Sequence, residues 1–405
     1  MTMQFRSVRQ ILFRHIVSLL FAVVLLAGCT SRRPVVMSVD RTLAMEYPDS
    51  ARRLLQAMET MPVKRGKRAQ LALMLGFVQA HQDDTLAAKA SLDRAMRYYG
   101  RYGSDDERAE AWYTYAKAAL RLGDLEEAIR GYTQSAIFAE KALDRESRGD
   151  DGQRKRTEML LVAVYHTLGL IYFEQGYDAV EPFAKAVDAA RTSGNATQEG
   201  YSRFMLSSAY CADGDYARAI ETLAPLVVAC DTIPFRYFAQ MVRLQNLMFH
   251  TYLGDWSPER LLAARDSVDL DEIRTAPLSY ETAVSEDSQR TFYDIASAMI
   301  FQRNGQLDSA RVYVERTLDR RSELHQGNVG LYNIAAGIYH GLGDDARAYD
   351  YMQQLVSAKD SLFEAQRGAQ VAELERRYRT ANEVALREAS LRYRVWIAVL
   401  AAVLD

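Results

Sequence analysis

The sequence has few prolines, few cysteines and no apolar run long enough to cross a membrane. Only 8 prolines and 22 glycines occur among 405 residues, so long uninterrupted helices are expected. The apolar runs near the two ends, residues 16–26 and 395–404, each contain about ten residues, whereas a membrane-spanning helix needs roughly twenty. Neither run as written can therefore span a bilayer.

The chain also lacks an excess of basic residues and the motifs that mark catalytic or metal centres. Its 50 Lys and Arg residues stand against 53 Asp and Glu, so it has no basic stripe of the kind that nucleic-acid binding requires. It contains no His-Glu-x-x-His pair, no Gly-x-Ser-x-Gly elbow, no phosphate-binding glycine loop and no Cys-x-x-Cys. Its later histidines are scattered singly: His81, His166, His250, His325 and His340. We predict a protein that is not an enzyme and that binds no cofactor, metal or nucleic acid.

The N-terminal residues have the pattern of a bacterial lipoprotein leader. Arginines precede the apolar run of residues 16–26, and the run ends in Leu-Ala-Gly-Cys, from Leu26 to Cys29. Small residues ahead of a cysteine allow a signal peptidase to cut once the thiol is acylated. We predict that residues 1–28 are a signal peptide, that Cys29 is lipidated and that residues 29–39 are a tether. The mature chain, with a net charge of −6, then lies outside the cytoplasm; an uncleaved N-terminal anchor is the alternative.

One segment carries a spacing of large and small residues that is typical of a helical hairpin. Its key positions are Trp112, Tyr115, Ala116, Ala119, Gly123, Ala128, Tyr132 and Ser135. Ala116 and Ala128 are small where two helices would cross closely, and Gly123 allows the turn between them. This spacing resembles the tetratricopeptide repeat (TPR), which implies a hairpin of two antiparallel helices.

The same frame returns along the chain, with a turn residue in each copy. The turns are expected at Asp83, Gly123, Gly176, Gly214, Gly254, Gly305 and Gly343, and the copy at Gly254 is weaker. The turn glycines are 38 to 53 residues apart, more than the roughly 34 of a minimal repeat, so extra loop or lengthened helix is expected. Insertions are expected at residues 144–158 and 257–289. We predict an all-α TPR superhelical solenoid of about seven irregular hairpins over residues 40–356.

The C-terminal part of the chain has a pattern of its own. Residues 357–394 contain no proline and one glycine, with acids and bases interspersed, which predicts a long charged helix. Its thin apolar stripe consists of Leu374, Tyr378, Ala381, Ala385 and Ala389. The stripe suits packing on the last repeat or pairing with a second copy in a homodimer, and both remain open. For residues 395–405 a truncated membrane helix is favoured, with an interfacial tail and a buried terminal helix as alternatives.

The TPR resemblance also implies where a partner binds, because the first helix of each hairpin lines the concave face of such solenoids. The candidate positions, ten and six residues before each turn glycine, are Tyr113 and Lys117, His166 and Leu170, Phe204 and Ser208, Leu244 and Met248, Ile295 and Met299, and Asn333 and Gly337. The lysine and asparagine clamp of chaperone-binding TPRs is matched only at Lys117 and Asn333, far apart. We predict that the groove binds an extended peptide or an apolar partner helix. Alternatively, some of these side chains pack between repeats.

A lipoprotein leader, irregular TPRs, a charged helix and a final apolar segment together resemble the extracytoplasmic half of Bacteroides-type membrane-anchored TPR regulators. The resemblance implies a periplasm-facing sensor in the bacterial cell envelope, joined to a cytoplasmic output domain that this sequence does not contain. We predict a lipid-anchored sensor half that binds a protein or peptide, with residues 395–405 as a second membrane contact. A free-standing lipoprotein in outer-membrane assembly or nutrient capture is the alternative.

Two cysteines remain once Cys29 is lipidated. In the TPR frame Cys211 lies near the end of a first helix and Cys230 at the far end of the returning helix. About eleven residues of helix rise, roughly 16 Å, would separate them. Because a disulfide requires Cα atoms within about 7 Å, we predict two free, mostly buried thiols.

Overall fold

The structure, a computed structural model, describes residues 45–145, 151–273, 286–319 and 328–360. Every regular element within these ranges is a helix, and no strand occurs among them. Of the helices that the structure describes, none is long and apolar enough to cross a membrane. The predicted signal peptide, tether and final apolar segment, and residues 361–394 of the predicted charged helix, lie outside the described residues.

The chain divides into two compact units, and the first contains the residues up to Glu107 together with Ala111–Ala128. Its helices are α1 (Pro48–Glu59), α2 (Arg65–His81), α3 (Thr85–Tyr102) and most of α4 (Asp105–Arg121). Helices α2 and α3 form a close hairpin because Gly76 has no side chain; a Cβ atom there would lie 2.7 Å from Leu92. Small residues at the helix crossing therefore set the packing, as the TPR frame predicts.

The second unit contains Arg108–Glu110 and the residues from Ile129 onwards. Its helices are α5 (Leu125–Arg145, from Ile129), α6 (Asp151–Glu174), α7 (Val180–Thr192), α8 (Ala196–Ala212), α9 (Tyr216–Ala229), α10 (Arg236–Leu253), α11 (Pro258–Asp266), α12 (Leu270–Ile273), α13 (Glu286–Arg303), α14 (Leu307–Asp319), α15 (Asn328–Gly341) and α16 (residues 345–360). Helices α6 and α7, α8 and α9, and α13 and α14 form hairpins, and each next hairpin packs against the one before it. Small or aromatic residues fill the crossings; Phe183 is fully buried against Gly169, for example.

The predicted turns are confirmed by the backbone. All six turn glycines have positive φ angles, from 69° at Gly176 to 79° at Gly214 and Gly343, and Asp83 adopts φ 58° in the place of a glycine. A left-handed residue at this position ends one helix and lets the next return along it. Gly194 also has φ 68°, between α7 and α8. The repeat spacing did not predict the turn at Gly194, because this turn joins two neighbouring repeats, whereas the spacing marks the turn between the two helices of one repeat.

The structure adds detail at three of the predicted boundaries. Residues 151–158, expected in an insertion, are the first two turns of α6, so the repeat is extended mainly by helix. The insertion at residues 257–289 contains helices α11 and α12 and the start of α13, which begins at Glu286. The expected boundary at residue 357 falls inside α16, because the helix runs from residue 345 to residue 360 without a break. At residues 151–158 and around residue 357 the chain continues a helix, because adding a residue to an existing helix costs less free energy than starting a new one.

Candidate functional site

The side chains six residues before each turn glycine remain at the surface of the first helices. In the second unit these groove positions are Leu170, Ser208, Met248, Met299 and Gly337; the first four are half-buried and Gly337 is exposed. In the first unit Lys117 has the same register, and its ammonium lies 5.9 Å from the ring centre of Tyr113, which is also half-buried. The groove positions therefore present a row of uncharged side chains in the second unit.

The positions ten residues before the glycines behave differently, which corrects part of the predicted groove. Phe204 is 8% exposed, Leu244 2% and Ile295 6%, so all three are core side chains. Four residues turn a helix by about 400°, so each of these side chains points about 40° away from the groove position. That rotation directs them towards the neighbouring hairpin. Asn333 has this register but is exposed, since no further hairpin follows within the described residues.

His166, another position predicted for the groove, belongs to the packing between repeats. Its Nδ1 lies 3.4 Å from the Ser202 hydroxyl, and its ring meets Phe183 edge to face with ring centres 5.7 Å apart. Burial lowers the pKa of His166 to about 4, because the charged imidazolium would lose its hydration. The ring is therefore neutral at neutral pH.

A buried polar contact that the sequence did not predict joins two first helices. The side-chain amide of Gln245 on α10 donates to the hydroxyls of Ser207 and Ser208 on α8, at 2.9 and 2.8 Å, and approaches the carbonyl of Phe204 at 3.1 Å. Ser208 is therefore engaged with a neighbouring helix as well as lying in the groove row. The available signal was a glutamine at a frame position that is alanine or isoleucine in the next two copies, Ala296 and Ile334.

The last two described hairpins border an open cavity of about 550 Å³ between α13, α15 and α16. Its lining residues are Met299, Gln302, Arg303, Asn333, Ile334, Ala336, Gly337, His340, Asp345, Ala348, Tyr349 and Met352. Gly337 forms its floor, and a Cβ atom there would lie 2.6 Å from the amide nitrogen of Gln302. The cavity brings together the predicted residues Met299 and Asn333, whereas Tyr113, Lys117, His166, Ser208 and Met248 lie elsewhere.

The Arg303, His340 and Asp345 side chains at this cavity already make hydrogen bonds. The Arg303 guanidinium donates to the carbonyls of Thr251 and Gly254 at 3.4 and 3.1 Å, and His340 Nδ1 lies 2.8 Å from an Asp345 carboxylate oxygen. Within the described residues, by contrast, the amides of Gln302 and Asn333 have no hydrogen-bond partner. The cavity therefore offers two unpaired amides between apolar walls.

Two further observations concern reactive side chains. Cys211 and Cys230 are free, as predicted, and burial raises the pKa of the Cys211 thiol to about 11. Cys230 is buried and Cys211 is half-buried. In the part of the chain that the structure describes, no group of His, Cys, Asp and Glu is arranged to hold a metal ion.

Comparisons with known proteins identify the repeat and the fold. The tetratricopeptide-repeat family model matches residues 109–136, and no curated protein matches the chain. The structure is similar to the apo form of RapI, with a TM-score of 0.51 and 11% identity over 73% of this chain and 99% of that chain. The chain thus contains a TPR, and the predicted all-α solenoid of helical hairpins is confirmed.

Two further solved structures are similar at lower TM-scores. One is a signal-transduction ATPase with a tetratricopeptide-repeat sensor from Pyrococcus horikoshii, with a TM-score of 0.48 and 14% identity over 80% of this chain and 46% of that one. The other is NprR in complex with its cognate peptide NprX, with a TM-score of 0.41 and 12% identity over 78% of this chain and 90% of that one. At these identities the likeness concerns the fold alone.

Proposed function

We propose that this chain is a non-enzymatic TPR protein of the bacterial cell envelope that binds a protein or peptide partner and serves as the sensor half of a membrane-anchored signalling protein. One observation carries the binding proposal: five successive first helices of the second unit have an uncharged, half-buried or exposed residue at the groove position, from Leu170 to Gly337. Repeated uncharged positions on neighbouring helices suit an extended chain or an apolar helix, which contacts each helix in turn.

Binding is tested with a peptide selected from a display library on the full mature chain. We expect Met248→Arg to weaken the selected peptide at least tenfold, because an arginine inserts a charge into the apolar part of the groove row. Val228→Arg is the matched control, since Val228 is 87% exposed on α9, a second helix. Equal affinity for both variants would contradict binding along the first helices.

The envelope location and lipid anchor rest on the sequence Leu-Ala-Gly-Cys before and at Cys29. Cells expressing the chain are labelled with an alkyne fatty acid, and the purified protein is examined for the label and for its N-terminus. We expect labelled wild-type protein that begins at Cys29, and unlabelled, uncut protein from Cys29→Ser. Cys211→Ser, which alters a half-buried thiol, should label normally. Label on Cys29→Ser protein would overturn this part of the proposal.

The sensor assignment is tested by membrane fractionation. Cys29→Ala is compared with the same variant that also lacks residues 395–405. We expect the single variant to stay with the membrane and the double variant to be released, because the apolar end then forms a second anchor. Release by Cys29→Ala alone would instead favour a free-standing lipoprotein.

A further inference from the structure

We propose that the cavity above Gly337 is a specificity pocket for one uncharged, apolar side chain of an extended peptide, whose backbone is bound by Gln302 and Asn333. The inference rests on the proposed partner binding and names the ligand chemistry for one place in the second unit. The volume of about 550 Å³ lies within the roughly 300–1,000 Å³ typical of ligand sites. It admits a side chain together with the backbone on either side of it.

The pocket exists because the groove position of α15 has no side chain. In the earlier copies this position carries Lys117, Leu170, Ser208, Met248 or Met299, each of which occupies the space above its own helix. At Gly337 that space holds the end of the Gln302 side chain, and Ala336 and Ala348 keep the surrounding walls low. The position six residues before the turn glycine carries a side chain in the earlier copies. At Gly337 the same position therefore leaves a cavity.

The polar groups of the pocket match a peptide backbone. An extended peptide presents an N–H donor and a carbonyl acceptor at each residue, and a carboxamide offers both a donor and an acceptor in return. Gln302 lies across the floor above Gly337, and Asn333 stands exposed one helical turn before it. Because neither amide has a partner among the described residues, both are available without breaking an existing contact.

The charges and the walls favour an apolar side chain over a charged one. Arg303 already donates to two backbone carbonyls, and His340 is hydrogen-bonded to Asp345, so these groups face the cavity with hydrogen bonds already made. Met299 and Met352 line opposite elements, α13 and α16, and methionine adapts its shape to different apolar groups. A terminal carboxylate or an acidic side chain would lose hydration here, and it would have to displace those carbonyls from Arg303 to gain a charged partner.

The probes are capped pentapeptides, acetyl-Ser-Ala-X-Ala-Ser-amide, with leucine, lysine or glutamate at X. Full mature chain labelled at methionine methyl groups is titrated with each peptide, and the Met299 and Met352 resonances are followed. We expect saturable shifts with the leucine peptide, and at least tenfold weaker binding of the lysine and glutamate peptides. Asn333→Ala and Gln302→Ala should each weaken the leucine peptide about fivefold.

Two glycines of α15 supply the matched variants. Gly337→Leu fills the cavity and should abolish the shifts, whereas Gly330→Leu changes an exposed position with nothing within 4 Å and should leave them unchanged. Binding of the glutamate peptide as tight as, or tighter than, that of the leucine peptide would overturn the proposal in favour of a carboxylate site. No shift with any peptide would also overturn it.

A third variant tests the chain itself as the occupant. If deletion of residues 361–405 shifts the Met299 and Met352 resonances in the absence of peptide, the tail fills the pocket and the proposal fails. The proposed function is judged separately by the display-selected peptide. A selected peptide that is sensitive to Met248→Arg but insensitive to Gly337→Leu leaves partner binding intact and removes only the specificity pocket.

Discussion

The side-chain amide nitrogen of Gln245 lies 2.9 Å from the hydroxyl oxygen of Ser207, and both residues are buried. The two residues belong to α10 and α8, first helices of neighbouring hairpins. Ser207 in turn donates to the carbonyl of Phe204 at 2.7 Å, so the contact joins a side chain to the backbone of the next helix. A hydrogen bond of this kind fixes the register of two helices that apolar contacts alone would allow to slide.

Replacing Gln245 with methionine should lower the free energy of unfolding by about 1–2 kcal/mol, because the variant keeps the volume but loses buried hydrogen bonds. The urea midpoint of the full chain measures the change. Gln56→Met, at an exposed position on α1, is the control and should leave the midpoint within error. An unchanged midpoint for Gln245→Met would show that the buried amide contributes nothing net.

Replacing Asp83 with glycine should stabilise the protein by about 0.5–1 kcal/mol. Asp83 has φ 58°, a left-handed backbone that costs energy for any residue with a Cβ atom, and its side chain is exposed. The reciprocal change is Gly123→Asp, at an equivalent turn with φ 73°, and it should lower stability by a similar amount. Thermal denaturation of both variants checks the pair. A stabilising effect of Gly123→Asp would refute the assigned cause.

Stability should depend on pH through His166. Its pKa is lowered to about 4 in the folded chain against about 6.5 when unfolded, so the unfolded chain binds the proton first as the pH falls. The stabilisation is complete above about pH 6.5 and declines towards pH 4, by up to about 3 kcal/mol. His166→Gln should remove this part of the decline, measured by denaturation at a series of pH values. His340→Gln, at an exposed histidine, should retain it.

Replacing Arg265 with lysine should destabilise the second unit by about 1–2 kcal/mol. The Arg265 guanidinium lies 5.0 to 5.2 Å from the ring centres of Tyr293, Phe301 and Tyr313, and its Nε donates to Ser297 at 2.8 Å. Lysine keeps the charge but lacks the planar fork that makes these contacts together. Arg218→Lys, whose side chain is 67% exposed, is the control in a denaturant titration. Equal midpoints for the two variants would contradict the assigned role.

The sequence predicted the hairpins because their determinants are local. A turn residue with positive φ and small residues at fixed distances from it appear directly in the chain, and Gly214 and Ala219 lie where the frame places them. The groove was predicted only in part. Phe204 and Ser208 are one helical turn apart, and how deeply each side chain is buried depends on the angle at which two hairpins pack.

The cavity could not be predicted for a related reason. Its residues come from three helices, and Met352 lies on a second helix that the TPR frame assigns to packing. Gly337 was named from the sequence, but as one more position in a row. The role of Gly337 as a cavity floor depends on the Gln302 side chain of another helix, which lies beside it. The spacing of residues along the sequence does not predict such a contact.

Because Gly337 forms the cavity floor through the absence of a side chain, the pocket depends on one codon. Any change at the second base of a glycine codon produces alanine, valine, aspartate or glutamate, and each of these puts a Cβ atom 2.6 Å from the present position of the Gln302 amide nitrogen. A single nucleotide change therefore forces the Gln302 side chain to move, while the new atom meets only the end of a flexible side chain. If every amino acid is placed at position 337 and each variant is measured for folding and for peptide binding, the variants that fold but do not bind identify the contribution of the cavity to recognition.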